Sequence, residues 1–323
     1  MVAITKQPIN GFLLVNKPIG LSSTQTMAKA RKLLAAKKAG HGGTLDPFAS
    51  GLLLVAFGEA TKALPYILSD NKEYKFTLRF GTETDSQDIT GHIVATSDHI
   101  PSRQTIENIL PQFIGKTLQT PPIFSAIKIN GVRSYDIARH QTDHHTGKKP
   151  SPRPIRIDDL RLIEQSNIND FVFGVRGQSG LYVRTLGHDI AKKLDSVGHL
   201  IKLQRIAIGN FLLNDAFSLA KLEKMDYSQR VESTLIDFSN KNLFTEHDVE
   251  KNLATLMGLE SIFLNKDEAF ALRLGRKIIT NQLNLKEKNK KLDILLAIDP
   301  DQRPVGFVSY QAKTIIPKRI FIL

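Results

Sequence analysis

Between Lys72 and Phe80 apolar and polar side chains alternate, with Tyr74, Phe76, Leu78 and Phe80 on one face and Lys75, Thr77 and Arg79 on the other. That period of two predicts a strand with one face in a core. Apolar runs at Phe12–Val15, Leu52–Phe57 and Phe171–Val175 predict further strands, and Leu52–Phe57 has no polar face to turn to solvent. Elsewhere the period lengthens. Met27, Ala30 and Leu34 recur at helical spacing behind the N-cap candidates Ser22, Ser23 and Thr24, and Val183, Leu186, Ile190 and Leu194 mark the buried face of a second helix. Thr105–Phe113 predicts a third. Residues 218 to 255 read as helices and polar connections. From about Leu259 a smaller unit follows, with short strands at Ile294–Ile298 and Val305–Val308 and a helical stretch at Asp267–Leu274. The pattern predicts an α+β protein with a large unit over residues 1–255 and a small strand-rich unit over 256–323.

One stretch obeys neither period. Gly40 to Gly51 reads Gly-His-Gly-Gly-Thr-Leu-Asp-Pro-Phe-Ala-Ser-Gly, with four glycines and a proline in twelve positions. Glycine loses too much backbone freedom in a regular element and proline has no N–H to give, so a shaped loop is expected, entered from a helical segment ending near Ala39. Pro47 biases Asp46 towards extended backbone. A carboxylate on a loop between two core elements is positioned for chemistry, although Asp-Pro and Gly-Gly pairs also mark ordinary turns.

Charge narrows the partners. The 323 residues carry 44 Lys/Arg against 32 Asp/Glu, a net charge of +12. Lys29, Arg31, Lys32, Lys37 and Lys38 precede the aspartate loop with no acid among them, and residues 271–323 hold eleven Lys/Arg against four Asp/Glu. Such a chain attracts polyanions. The absence of cysteine excludes disulfides, thiolate metal sites and cysteine nucleophiles. No apolar run approaches the roughly 20 residues of a membrane span, and residues 1–10 lack a signal pattern, so a cytoplasmic protein without a membrane partner is expected. Three carboxylates gather in Gly81–Gly91, but without calcium-loop order they read as a polar turn. His140, Asp143, His144 and His145 have no apolar frame to fix ligand geometry, so no metal site is expected there. The stretch from His140 to Arg156, with Lys148, Lys149 and Arg153, reads as a basic flap.

Four strings carry a resemblance. Gly-His-x-Gly-Thr-Leu-Asp-Pro-x-Ala-Ser-Gly at Gly40–Gly51, Lys-Pro-x-Gly-x-Ser-Ser from Lys17, the 19-residue segment Pro121–Arg139 and Gly-x-Tyr-x-Arg-Thr-Leu from Gly180 are similar to motifs of the tRNA pseudouridine-55 synthases, the TruB family. The loop Gly81–Gly91 and the string Gly198–Arg205 resemble two more. The resemblance implies a pseudouridine synthase fold, with a central mixed, largely antiparallel sheet flanked by helices and loops, and a β-rich PUA-like C-terminal module. It makes Asp46 the catalytic carboxylate, Arg184 its ion-pair partner and Tyr74 a ring stacked on the target base. Leu203 packs beneath that base, and His41 fills the space the base vacates. Lys17 belongs to the motif supporting the catalytic loop, Tyr182 to the motif around Arg184, and both count as substrate-side residues with Lys128 and Arg133, which with Arg139 face phosphates or brace the site. His188 and His199 are expected to be structural, with no carboxylate recruited to them. Leu181 and Gly42 stand where the family usually or frequently has threonine. The implied activity is isomerisation of uridine in the T-arm of tRNA, with no cofactor, no metal and no obligatory protein partner. Two rivals stand beside it: a guide-RNA-dependent relative that needs partner proteins, and an RNA-binding or tRNA-folding protein without catalysis.

Overall fold

A computed structural model of the chain describes residues 7–67, 71–122, 128–129, 132–133, 150–238, 257–280 and 292–323, with the backbone alone at 128–129, 132–133 and 292. Strands β1 (Gly11–Lys17), β2 (Ala39–Gly42), β3 (Ser50–Phe57) and β4 (Lys72–Phe80) begin a large sheet. Its main path runs Phe217–Ser218, β1, β3, Gly198–Ile208, β4, Asp170–Gly177, Arg153–Gln165, Gly115–Gln119. Neighbours are antiparallel except at the contact of β3 with Gly198–Ile208 and of β1 with Phe217–Ser218, so the sheet is mixed but largely antiparallel.

The sheet is covered on both faces where the sequence is unbroken in hydrophobicity. Leu53, Val55 and Phe57 of β3 pack with Ala30 and Leu34, the latter just beyond helix α1 (Ser23–Leu33), while Leu52, Leu54 and Ala56 point into another core. Alternation in β4 is as expected. Tyr74, Phe76, Leu78 and Phe80 are buried against Leu186 and Ile190 of the helix Val183–Lys193, and Arg79 on the opposite face binds Asp170 through two hydrogen bonds of 2.7 and 2.8 Å.

Two local expectations fail for identifiable reasons. Ala39–Gly42 is a strand paired with β3, His41 opposite Val55, where a helical lead-in and an unpaired loop were expected; glycine is tolerated there because β3 supplies the ladder. Arg153 and Arg156 belong to the 13-residue strand Arg153–Gln165, not to a flap: Ile155, Ile157 and Leu160 enter the core and hold the charged positions in register. The helix expected at Thr105–Phe113 is an α-helix over Arg103–Ile109 continued as a 3₁₀ turn over Leu110–Phe113. Lys148, Lys149, Arg139, His140, Asp143, His144 and His145 lie outside the described residues.

The C-terminal unit is a five-stranded sheet ordered Glu260–Phe263, Leu292–Ile298, Pro304–Gln311, Thr314–Ile320, Ile278–Ile279, with one helix at Lys266–Arg273 capped by Asn265 and Glu268. It is β-rich, as expected, and it is not separate. Leu296, Ile298, Phe307 and Phe321 share one buried cluster with Phe12, Leu54 and Ile67, and Lys62 Nζ donates to the Ile320 carbonyl at 2.9 Å. The boundary expected between 255 and 256 falls within residues 239–256, which lie outside the described residues.

Gly51 marks where β3 meets Gly198–Ile208. Its φ is +104°, and a Cβ there would lie 2.3 Å from the Arg205 carbonyl oxygen. Backbone atoms cannot yield as a flexible side chain does, so Gly51→Ala is expected to lower stability by about 2 kcal/mol or more, read as a lower urea midpoint at unchanged slope.

Candidate active site

The residues around Asp46 are pinned from several sides. The Ser23 hydroxyl, at the first turn of α1, accepts from the Leu45 N–H at 2.8 Å and donates to the Leu45 carbonyl at 3.0 Å. Ser22 caps the helix with Gln25, which leaves Ser23 free for the loop. Beyond the acid, the Gly20 N–H donates to the Pro47 carbonyl at 2.8 Å. Leu45, Phe48 and Ala49 are buried in the main core, so the carboxylate is carried on a loop with hydrophobic roots.

Arg184 lies in the first turn of the helix Val183–Lys193, with 5% of its side chain exposed. Its Nε meets Asp46 Oδ2 at 3.0 Å, bringing together residues 138 positions apart in the chain. Its Nη1 donates to the Ser86 carbonyl at 2.9 Å and lies 3.4 Å from Asp88 Oδ2. Asp88 is equally buried and accepts from the Ser86 hydroxyl and the Thr90 N–H. The Gly81–Gly91 loop, expected as a polar turn, therefore supplies a second carboxylate to the same guanidinium. The signal was the Asp-Ser-Gln-Asp spacing together with its likeness to a family loop.

A cleft of about 280 Å³ opens above this group, lined by Asp46, Tyr74, Tyr182, Arg184, Leu203 and Arg205. Tyr74 and Leu203 come from adjacent strands and line the same cleft. Tyr182 is positioned through its backbone by Gln119, whose amide accepts from Tyr182 N–H at 2.9 Å and donates to its carbonyl at 3.1 Å. His41 is half-buried on β2, and its Nδ1 has no hydrogen-bond partner. Lys17 is fully buried, so its expected substrate contact is not open to it: its Nζ donates to the carbonyls of Pro18 and Leu21 at 2.9 and 2.6 Å and braces the turn beside the loop. Lys128 and Arg133 face each other across a short hairpin, and their side chains lie outside the described atoms.

Arg205 went unassigned in the sequence and is the largest fully buried side chain among the described residues. It sits opposite Tyr74 in the ladder and donates to the carbonyls of Leu52 at 2.8 Å, Gly43 at 2.9 Å and Gly42 at 3.4 Å. No carboxylate pairs with it among the described residues. Its guanidinium thus anchors the N-terminal limb of the aspartate loop. Its position in the Leu-Gln-Arg string, two residues after Leu203, was the available signal. His188, expected to lack carboxylates, has Glu83 at 3.2 Å and Asp189 at 3.4 Å, because the helix packs over the Gly81–Gly91 loop; its pKa is raised, first by the Asp189 contact. His199 bonds the Thr82 carbonyl at 2.6 Å and is structural.

Burial governs the electrostatics. Although 37% of the Asp46 side chain remains accessible, loss of water pushes its carboxyl above the ordinary aspartate range. Arg184 and Lys17 oppose that rise and Asp88 adds to it. The ion pair therefore favours the carboxylate without fully offsetting desolvation. Burial also lowers Lys17 to about 8, with Asp46 opposing and Arg205 contributing. His41 is lowered by burial and by Arg205.

A mixed, largely antiparallel sheet thus presents a loop carboxylate to an arginine in the first turn of a helix. A crystal structure of a Cbf5-Nop10-Gar1 complex shares the fold with a TM-score of 0.68 at 20% identity, over 97% of this chain and 85% of that one. The structure of an H/ACA RNP bound to a substrate RNA containing 2′-deoxyuridine does so with a TM-score of 0.66 at 17% identity, over 100% and 92%. The model of the TruB family pseudouridylate synthase N-terminal domain matches residues 31–183. The tRNA pseudouridine synthase B of Gluconacetobacter diazotrophicus is 39% identical over 84% of this chain and 83% of its own length, and that of Brucella ovis 38% identical over 84% and 85%. The chain belongs to the TruB family.

Lys17 gives a measurable check. A lysine whose folded pKa lies below its unfolded value costs stability while protonated; that cost is full below about pH 8 and fades as pH rises towards the unfolded value. A ¹³Cε titration is expected to place Lys17 near 8. Arg205→Gln is expected to move that midpoint up, because one of the charges lowering it is gone.

Proposed function

We propose that this chain isomerises uridine to pseudouridine at position 55 in the T-arm of tRNA and does so without a protein partner. The observation that carries the reading is the Asp46–Arg184 pair at 3.0 Å on the floor of a cleft that Tyr74 and Leu203 also line. The reaction breaks the bond from ribose C1′ to uracil N1, turns the base and joins C1′ to C5; the C5 proton leaves and N1 gains one. It requires a carboxylate held beside the sugar and a site that shelters the broken intermediate from water. Asp46 supplies the first. The cleft, walled by Tyr74 and Leu203, supplies the second.

A uridine stacked in a folded loop cannot reach a carboxylate this deep, so the nucleotide flips out at a cost of a few kcal/mol. Tyr74 and Leu203 then hold the uracil between them, and Tyr74 is placed to assist loss of the C5 proton. His41, with an unpartnered Nδ1 beside the loop, is placed to fill the position the base leaves. The net charge of +12 offsets part of the flipping cost through phosphate contacts. The relatives named tRNA pseudouridine synthase B support tRNA as the substrate.

The pure protein, with a T-arm transcript tritiated at uracil C5, is expected to release tritium. Asp46→Asn is expected to lower that release by at least about 10³-fold while RNA still binds. Release that survives in Asp46→Asn, or that needs an added protein, would overturn the corresponding part of the proposal. Because the raised Asp46 carboxyl must be ionised to act, the rate should fall as pH drops through a value above that of an ordinary aspartate. Single-turnover rates across pH measure that limb.

A further inference from the structure

The helix Val183–Lys193 grips the Gly81–Gly91 loop at two points one turn apart. Arg184 reaches the Ser86 carbonyl and Asp88 from the first turn. His188, four residues on and so on the same face, has its Nε2 3.2 Å from Glu83 Oε1 and its Nδ1 3.4 Å from Asp189 Oδ1. Glu83 belongs to the short strand Thr82–Thr84, and the next residue, Thr84, is buried and donates its hydroxyl to the Asp88 carbonyl at 2.7 Å. The contacts close a ring: His188 to Glu83, Thr84 to Asp88, Asp88 to Arg184, and Arg184 back along the helix to His188. Asp46 sits outside that ring on the guanidinium's Nε.

Both carboxylate contacts of His188 need the protonated ring. An imidazolium donates from both nitrogens, whereas the neutral ring keeps one N–H and turns a lone pair towards one of the two acids. The charged groups acting on it are Asp189 and Lys192 from its own helix and Glu83 from the loop; its pKa is raised, first by the Asp189 contact, against burial and Lys192. His199, on the strand packed against the helix, turns its Nδ1 to the Thr82 carbonyl instead. The loop backbone is tied down independently, with Leu200 N–H donating to the Gln87 carbonyl at 3.1 Å and Ile89 N–H to the Leu200 carbonyl at 2.9 Å. With 24% of each side chain accessible, the His188–Glu83 pair is partly screened, so it adjusts the loop's carboxylate without holding up the fold.

We propose that His188 is a positioning residue for the isomerisation: its grip on Glu83 seats Asp88 against Arg184 and so fixes the guanidinium that faces Asp46. The inference rests on the reading of the cleft as the uridine site. His188→Gln stands in for the neutral ring and His188→Lys for a permanent charge. Single-turnover tritium release at saturating RNA is measured from about pH 6 to about pH 9. Wild type should exceed His188→Gln about 3- to 5-fold at the acid end, and the ratio should approach 1 as pH rises and His188 loses its proton; the Asp46 limb is common to both and divides out. The ratio of His188→Lys to His188→Gln should instead stay level across the range. Glu83→Gln should match His188→Gln, and the double variant should be no slower than either. A ratio of wild type to His188→Gln that ignores pH, an additive double variant, or a loss confined to RNA affinity would overturn the inference. The Arg184 Nε–H resonance of ¹⁵N-labelled protein reads the same coupling without catalysis: it should shift with the His188 titration in wild type and not in Glu83→Gln, and a wild-type resonance that ignores His188 would also overturn it. Absence of tritium release from wild type at every pH would sink the functional reading, and the resonance would then decide whether His188 sets Arg184.

Discussion

One buried guanidinium, between two carboxylates, is the constraint on which this structure turns. Arg184 can be held in the first turn of its helix at 5% exposure only because Asp46, Asp88 and the Ser86 carbonyl take its donors. Removing water from such a group costs far more than a surface pair returns, so each partner must be in place for the others to be tolerable. The same arrangement sets the electrostatics of the loop carboxylate. Desolvation raises Asp46, the guanidinium pulls it back, and the acid is left ionisable yet poorly hydrated beside the cleft.

Around that centre the charges are unevenly matched. Asp46 and Asp88 face three buried cations, Arg184, Lys17 and Arg205, and the last two bind mainly backbone carbonyls. Their ligands sit beside or within the two limbs of the aspartate loop: Gly42 and Gly43 before the acid for Arg205, the turn Pro18–Leu21 packed beside Pro47 for Lys17. The cations thus shape the loop from both sides. Ser23 supplies the remaining anchor with a hydroxyl that the Ser22 cap leaves free.

The C-terminal sheet contributes by burial. Phe307 and Phe321 pack edge to face, and Phe321 stacks in the same manner on Phe238, which touches Phe12 of the catalytic sheet. That aromatic chain makes the C-terminal unit an extension of the main core.

Sequence by itself determined the elements with a clean period and singled out Asp46 as the candidate carboxylate. Tyr74 to Phe80 alternate without exception, Leu52–Phe57 has no polar face, and Asp46 stands in a string too irregular for any repeating element. The strand Arg153–Gln165 was illegible because Pro152, Pro154 and the arginines obscure Ile155 and Ile157, whose burial comes only from pairing with Gly115–Gln119 and Asp170–Gly177. The pairing of Ala39–Gly42 was hidden for a like reason, since its hydrogen-bond partner lies in β3. Motif likeness nominated Arg184 as partner to Asp46, but the added reach of that arginine to Asp88, the inward turn of Lys17 and the clamp by Arg205 were decided by tertiary structure alone. Hydrogen bonds and desolvation depend on distances through space, and a chain read along its length specifies these only once the sheet has set its register.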